Sequence, residues 1–145
     1  MIIFDDIERT DIEPASHLIS RGDYLNSPEQ YVALTETSYY EDALALVPDP
    51  DPIVLVSSDD AAFCRTHFAG RGFEVLDGID DRVQFALLAR CDHLIMANST
   101  FGWWAAWLSE TADLRITPSR WWGEDAPARE SVRAPVPDTW IEVPV

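Results

Sequence analysis

The chain has 145 residues, 47% of them hydrophobic and 25% charged, a balance that suits one soluble globular domain with one core. Its 26 acidic and 10 basic residues give a net charge of -16, and every basic residue is arginine. A surface this acidic repels nucleic acid and anionic membrane, which argues against both as partners.

The acidic residues are spread along the chain, as expected of a solvated surface. Adaptation to salt, which screens self-repulsion, and a GC-rich genome that favours arginine codons both fit this balance. The N-terminus, Met1-Ile2-Ile3-Phe4-Asp5-Asp6, lacks the basic region of a secretory leader. No apolar run approaches the ~20 residues needed to span a bilayer. Cys64 and Cys91 stand apart, outside any zinc or redox spacing, and read as reduced core residues. A cytoplasmic protein is expected, at most peripheral to the inner face of the membrane.

In chain order, a first strand is predicted over 16–20. Ser27-Pro28-Glu29-Gln30 reads as a helix start, with Ser27 as N-cap, Pro28 in the first turn and Gln30 closing a capping box. Tyr40, Ala43, Leu44 and Val47 then recur at helical spacing. The run Pro48-Asp49-Pro50-Asp51-Pro52 ends that helix and leads into a strand over 53–57. A helix over 60–69 should stop at Gly70 or Gly72. A strand over 73–76, a helix over 82–90 and a strand over 93–97 follow. A fourth helix begins near Ser99, with Phe101, Trp104, Ala105 and Leu108 on one face. A strand over 114–117 is followed by a Pro- and Trp-rich segment expected to wrap the surface. Near-continuous apolar strands alternating with helices predict a single three-layer α/β domain over 1–145, Rossmann-like, with a mostly parallel sheet.

In such a sheet, ligands bind beyond the carboxyl ends of the strands. Three clusters fall there. In Asn98-Ser99-Thr100 a strand gives way to a helix, so backbone N–H groups, the helix dipole and two hydroxyls could hold a phosphate without lysine. Simple capping by Ser99 or Thr100 explains the same residues equally well. Ser58-Asp59-Asp60 offers carboxylates for ribose hydroxyls or a guanine edge, with helix capping as one alternative and a divalent ion shared with substrate phosphates as another, ranked low because no second acidic cluster partners it. Arg21-Gly22-Asp23 offers a fixed cation for a leaving phosphate, or a surface ion pair of little consequence. His17, His67 and His93 are scattered without metal spacing, so no metal is assigned.

The stretch from Arg90 to Trp107, Arg-Cys-Asp-His-Leu-Ile-Met-Ala-Asn-Ser-Thr-Phe-Gly-Trp-Trp-Ala-Ala-Trp, resembles the α-1,2-fucosyltransferase family. Arg21-Gly22-Asp23-Tyr24, Ser58-Asp59-Asp60, Pro118 with Trp121, and Pro137 with Trp140-Ile141 resemble further family segments in the same order. The resemblance covers about residues 15–143. It implies the C-terminal, donor-binding domain of a GT-B glycosyltransferase. The implied reaction moves fucose from GDP-fucose to a galactose-containing glycan with inversion and without metal or other cofactor. Arg21 would be catalytic. Arg21, Asp23, Ser58, Asp59, Asp60, Asn98, Ser99 and Thr100 would bind the donor.

Two departures bear on catalysis. Leu18 and Ser20 replace the family's His and first Arg, and His17 is one position off. The family's N-terminal domain, which lines the acceptor side, has no counterpart in this sequence. The chain therefore reads as an enzyme that works alone, as a homodimer or with a partner supplying that domain. It also reads as an inactive GDP-sugar-binding module or a truncated fragment. A flavodoxin-like or Toprim-like domain would explain the acidic strand ends but not the Asn98–Trp104 block.

Overall fold

The structure is a computed structural model that describes residues 15–19, 30–123 and 135–145. Ser20 to Glu29, including the expected helix start at Ser27, lie outside the described residues, as do residues 1–14 and 124–134.

Six strands form one sheet: β1 Ala15–Ile19, β2 Val54–Ser58, β3 Glu74–Val75, β4 His93–Ile95, β5 Leu114–Pro118 and β6 Ile141–Val143. Their spatial order is β3-β2-β1-β4-β5-β6, and every pairing is parallel. The five predicted strands are all present. The sixth lies in the segment expected only to wrap the surface. It is only three residues long, with Ile141 and Glu142 exposed and Val143 buried, which leaves a weak signal, and β5 supplies its hydrogen-bond ladder.

The helices are α1 Tyr39–Leu44, α2 Ala61–His67, α3 Asp81–Leu88 and α4 Thr100–Leu108. α2, α3 and α4 begin on side-chain caps: Asp60 accepts from Phe63 N at 3.0 Å, Asp80 from Arg82 N at 3.0 Å and Ser99 from Phe101 N at 3.3 Å. Gly70 and Gly72 follow α2 with φ of 79° and 74°, conformations that favour glycine. Among the described residues, the helix expected from the Ser27 signature does not run on to Val47. A 3-10 turn at Leu34–Glu36 precedes α1, and Thr37 Oγ1 donates to Leu34 O at 2.8 Å, closing that turn. Tyr40, Ala43 and Val47 nonetheless share the buried face that their spacing requires.

The sheet carries a core on each side. One packs α1 and α2 on it through Tyr39, Tyr40, Ala43, Cys64 and Phe68. The other packs α3 and α4 through Leu87, Leu88, Trp103, Ala105 and Ala106, with Trp121 and Trp140 from the C-terminal segment. The domain is thus a three-layer, Rossmann-like α/β sandwich.

The predicted face of α4 needs correction. Trp104 and Leu108 are 50% and 56% exposed, whereas Trp103 is 7% exposed and Ala105 and Ala106 are fully buried. The helix is apolar all round, so spacing alone could not say which stripe meets the sheet. Trp103, Ala105 and Ala106 form the buried stripe, packed in one cluster with Leu87 and Leu88 of α3 and with Trp121 and Trp140.

Candidate functional site

Strand order reverses between β1 and β4, which opens a crevice at the carboxyl ends of these two strands. The chain leaves β4 through Met96 and Ala97, passes Asn98 and Ser99, and enters α4 at Thr100. The N-terminus of α4 therefore stands at the switch point. Ser99 O receives the Trp103 N–H at 3.0 Å and Ser99 Oγ receives that of Phe101. Helix geometry leaves the Thr100 and Gly102 N–H groups without intrahelical acceptors, beside the positive end of the helix dipole. Thr100 is exposed at this position. Ser99 is thus the cap, and the turn still offers N–H donors and the Thr100 hydroxyl to an anion.

Asn98 is 4% exposed. Its Nδ2 donates to Trp121 O at 2.8 Å and to Val32 O at 3.2 Å. These bonds fasten the β4–α4 turn to two chain segments at the same edge. Tyr39 adds a second fastening, since its hydroxyl donates to Met96 O at 2.6 Å and approaches Ile116 O at 3.3 Å. Burial, reinforced by neighbouring Tyr40, pushes the Tyr39 phenol well above its ordinary value.

Ser58 ends β2 and Asp59 follows it near the edge, with Asp59 exposed. Ser58 Oγ accepts from Asp60 N at 3.0 Å, and Asp60 caps α2. The capping role of Asp60 is therefore realised, while Asp59 is the carboxylate most open to solvent. Ser57, behind them, donates to Gln84 Oε1 at 2.6 Å, and Gln84 Nε2 donates to Ile79 O at 2.9 Å. Beyond β3, Asp77 pairs with Arg65, and that hydrogen bond holds its carboxyl below the usual range. Arg21 and Asp23 lie outside the described residues.

The structure thus brings Ser58, Asp59, Asp60, Asn98, Ser99 and Thr100 to the carboxyl edge. Of the histidines, His93 is buried in β4 and His67 is half-buried on α2, packed on Phe63 and Phe68. Sequence reasoning missed Tyr39, Gln84 and Arg115. Tyr39 and Gln84 act through partners far apart in the chain, and Arg115 through carbonyls of the preceding turn, so no sequence motif marks them. A groove of about 520 Å³ lined by Asp80, Arg82, Val83, Ala86, Leu87 and Arg90 lies on α3 and shares none of the edge residues.

A parallel three-layer domain with a helix N-terminus at its switch point defines the class of Rossmann-like α/β domains. Within that class, the sequence profile of glycosyl transferase family 11 matches residues 12–142, and the chain belongs to that family. Among similar proteins is the O-antigen biosynthesis glycosyltransferase WbnK of Escherichia coli, 27% identical over 86% of this chain and 43% of its own length. An alpha-1,2-colitosyltransferase of Escherichia coli is 30% identical over 86% of this chain and 46% of its own. The galactoside alpha-(1,2)-fucosyltransferase 2 of Oryctolagus cuniculus is 35% identical over 63% of this chain and 28% of its own. The chain spans less than half the length of these relatives. No solved structure matches it significantly.

Proposed function

We propose that this chain is the donor-binding half of a GT-B fucosyltransferase that uses GDP-fucose and a galactose-containing acceptor. The observation that carries the reading is the α4 N-terminus at the switch point, built from the Asn98–Trp104 block that the family resemblance singles out. Backbone donors at Thr100 and Gly102, with the Thr100 hydroxyl, would receive the diphosphate. Ser58, Asp59 and Asp60 would face the nucleoside, where carboxylates accept from ribose or guanine donors.

Transfer with inversion needs no metal if protein donors meet the charge that grows on the β-phosphate as the fucosyl bond breaks. Arg21 is the residue assigned to that charge, and Asp23 to the same strand end. The acceptor side would come from an N-terminal domain, in the same polypeptide or in a partner. The chain's acidic surface suits a salt-rich environment, and the free, buried Cys64 and Cys91 suit a cytoplasmic setting. Among the described residues, no helix is long and apolar enough to cross a membrane.

Calorimetry with GDP and UDP tests the donor assignment: preference for GDP is expected, and equal affinity would overturn it. In a turnover assay with GDP-fucose and the acceptor-side domain present, Arg21→Ala should slow transfer about a hundredfold or more. GDP binding should change much less, because the charge to be met develops only in the transition state. Arg21→Lys should recover only part of the rate, since a point charge does not replace a planar fork. An unchanged rate in Arg21→Ala would remove Arg21 from the leaving-group role. GDP binding with no turnover would favour the inactive-module reading, for which Leu18 and Ser20 supply the reason.

A further inference from the structure

Two chain segments meet above the carboxyl ends of β4 and β5. Tyr31 and Trp122 form an antiparallel bridge, with their rings 4.9 Å apart. Val32 N donates to Trp121 O at 3.2 Å, and Gly123 N donates to Gln30 O at 2.8 Å. Residues 30–32 and 121–123 thus make a short clasp. The side chain of Asn98 links it to the β4–α4 turn by donating to a carbonyl on each segment. Both partners are acceptors, so the amide orientation is set by chemistry: nitrogen must face them. Both Nδ2 protons are engaged inside the protein, in a buried position.

We infer that Asn98 is a positioning residue, which holds the anion-binding turn of α4 in register with the clasp instead of giving its amide protons to the donor. The inference rests on the donor reading above and reassigns one residue within it. The physical reason is preorganisation. Ser99 and Thr100 follow Asn98 directly, so tethering Asn98 at two points restricts the backbone whose N–H groups would face the phosphates. Donors held still before the reaction stabilise developing charge best, and small displacements cost rate more than ground-state affinity.

The test combines hydrogen exchange, calorimetry and kinetics on Asn98→Ala. Without nucleotide, the Val32 and Gly123 amides should exchange faster than in the wild type. GDP affinity should stay within about threefold, while kcat for transfer falls about tenfold or more with little change in donor KM. If Asn98→Ala does not fold, Trp122→Leu loosens the clasp from its far side and should give the same split. In the wild type, the Asn98 side-chain amide protons should exchange slowly, and their NMR shifts should move little on GDP addition. A tenfold or greater loss of GDP affinity with the clasp amides still protected would overturn the inference. So would an opened clasp with unchanged kcat, or large GDP-induced shifts of the Asn98 amide. The exchange measurement needs no ligand, so it judges the clasp even if the chain proves not to bind GDP.

Discussion

At the scale of single residues, Tyr39 makes the clearest case for chemistry set by burial. Its hydroxyl is fully buried against Met96 O and Ile116 O, and burial disfavours the phenolate. Below the ordinary tyrosine pKa near 10, the phenol is neutral in both folded and unfolded chains, so its protonation adds no pH dependence. Above that value the unfolded chain loses the proton and the folded chain keeps it. The folded state then binds more protons, and stability falls as pH rises. Tyr39→Phe should cost about 1–3 kcal/mol at neutral pH, mainly through the unsatisfied Met96 carbonyl. It should also flatten the decline above about pH 10 in urea unfolding, where only the wild type has this phenol to ionise on unfolding. An equally steep decline in the variant would show that another group drives it. On the proposed donor reading, Thr100→Ala should weaken GDP binding in calorimetry by only about 0.5–1.5 kcal/mol, because backbone donors remain.

At the scale of elements, α4 shows how a helix without polar faces is oriented. Trp103 packs near Trp140, and its indole N–H donates to Pro135 O at 2.9 Å, while Trp104 and Trp107 are about half exposed. Trp103→Ala should destabilise the fold by about 3–5 kcal/mol in chemical denaturation, and Trp104→Ala by much less. The reverse order would mean that the apolar stripe first read from spacing is the buried one after all. The other end of α4 is closed by Arg115 from β5. Its guanidinium donates to Ala106 O at 2.9 Å, Ser109 O at 2.7 Å and Ala112 O at 2.6 Å. A cation there satisfies the last carbonyls and meets the negative end of the helix dipole. Arg115→Met should lower stability by about 2–3 kcal/mol by urea titration. Arg115→Lys should recover less than half, because three divergent carbonyls need the guanidinium fork.

At the scale of the whole molecule, charge dominates. The net charge of -16 makes the compact state repel itself, and salt screens that repulsion. Three surface ion pairs, Arg65–Asp77, Arg71–Glu41 and Arg82–Asp80, are exposed and contribute little. Raising sodium chloride from about 0.05 M to about 1 M should therefore move the urea midpoint upward, since the Debye length falls from more than 10 Å to about 3 Å. A downward shift would mean that the attractive pairs outweigh the repulsion.

Much of the architecture is legible in the residues. Apolar runs too continuous for a one-sided sheet specified buried parallel strands, and caps such as Asp60 and Ser99 marked helix starts. The Asn98–Trp104 block identified the family because its chemistry is unusual for a simple strand-to-helix turn. Local pattern could not choose between capping and binding for Asp60 and Ser99, since both uses need the same oxygen at the same place. It could not orient α4, whose residues are apolar on every side. It could not see β6, whose pairing depends on an edge supplied by β5. Nor could it assign the amide of Asn98, because Val32 and Trp121 lie 66 and 23 residues away in the chain. The one-dimensional chain carries the periodicities and caps that set each element. Only the folded chain decides which face is buried and which polar group has a partner, because those depend on neighbours that are distant in sequence.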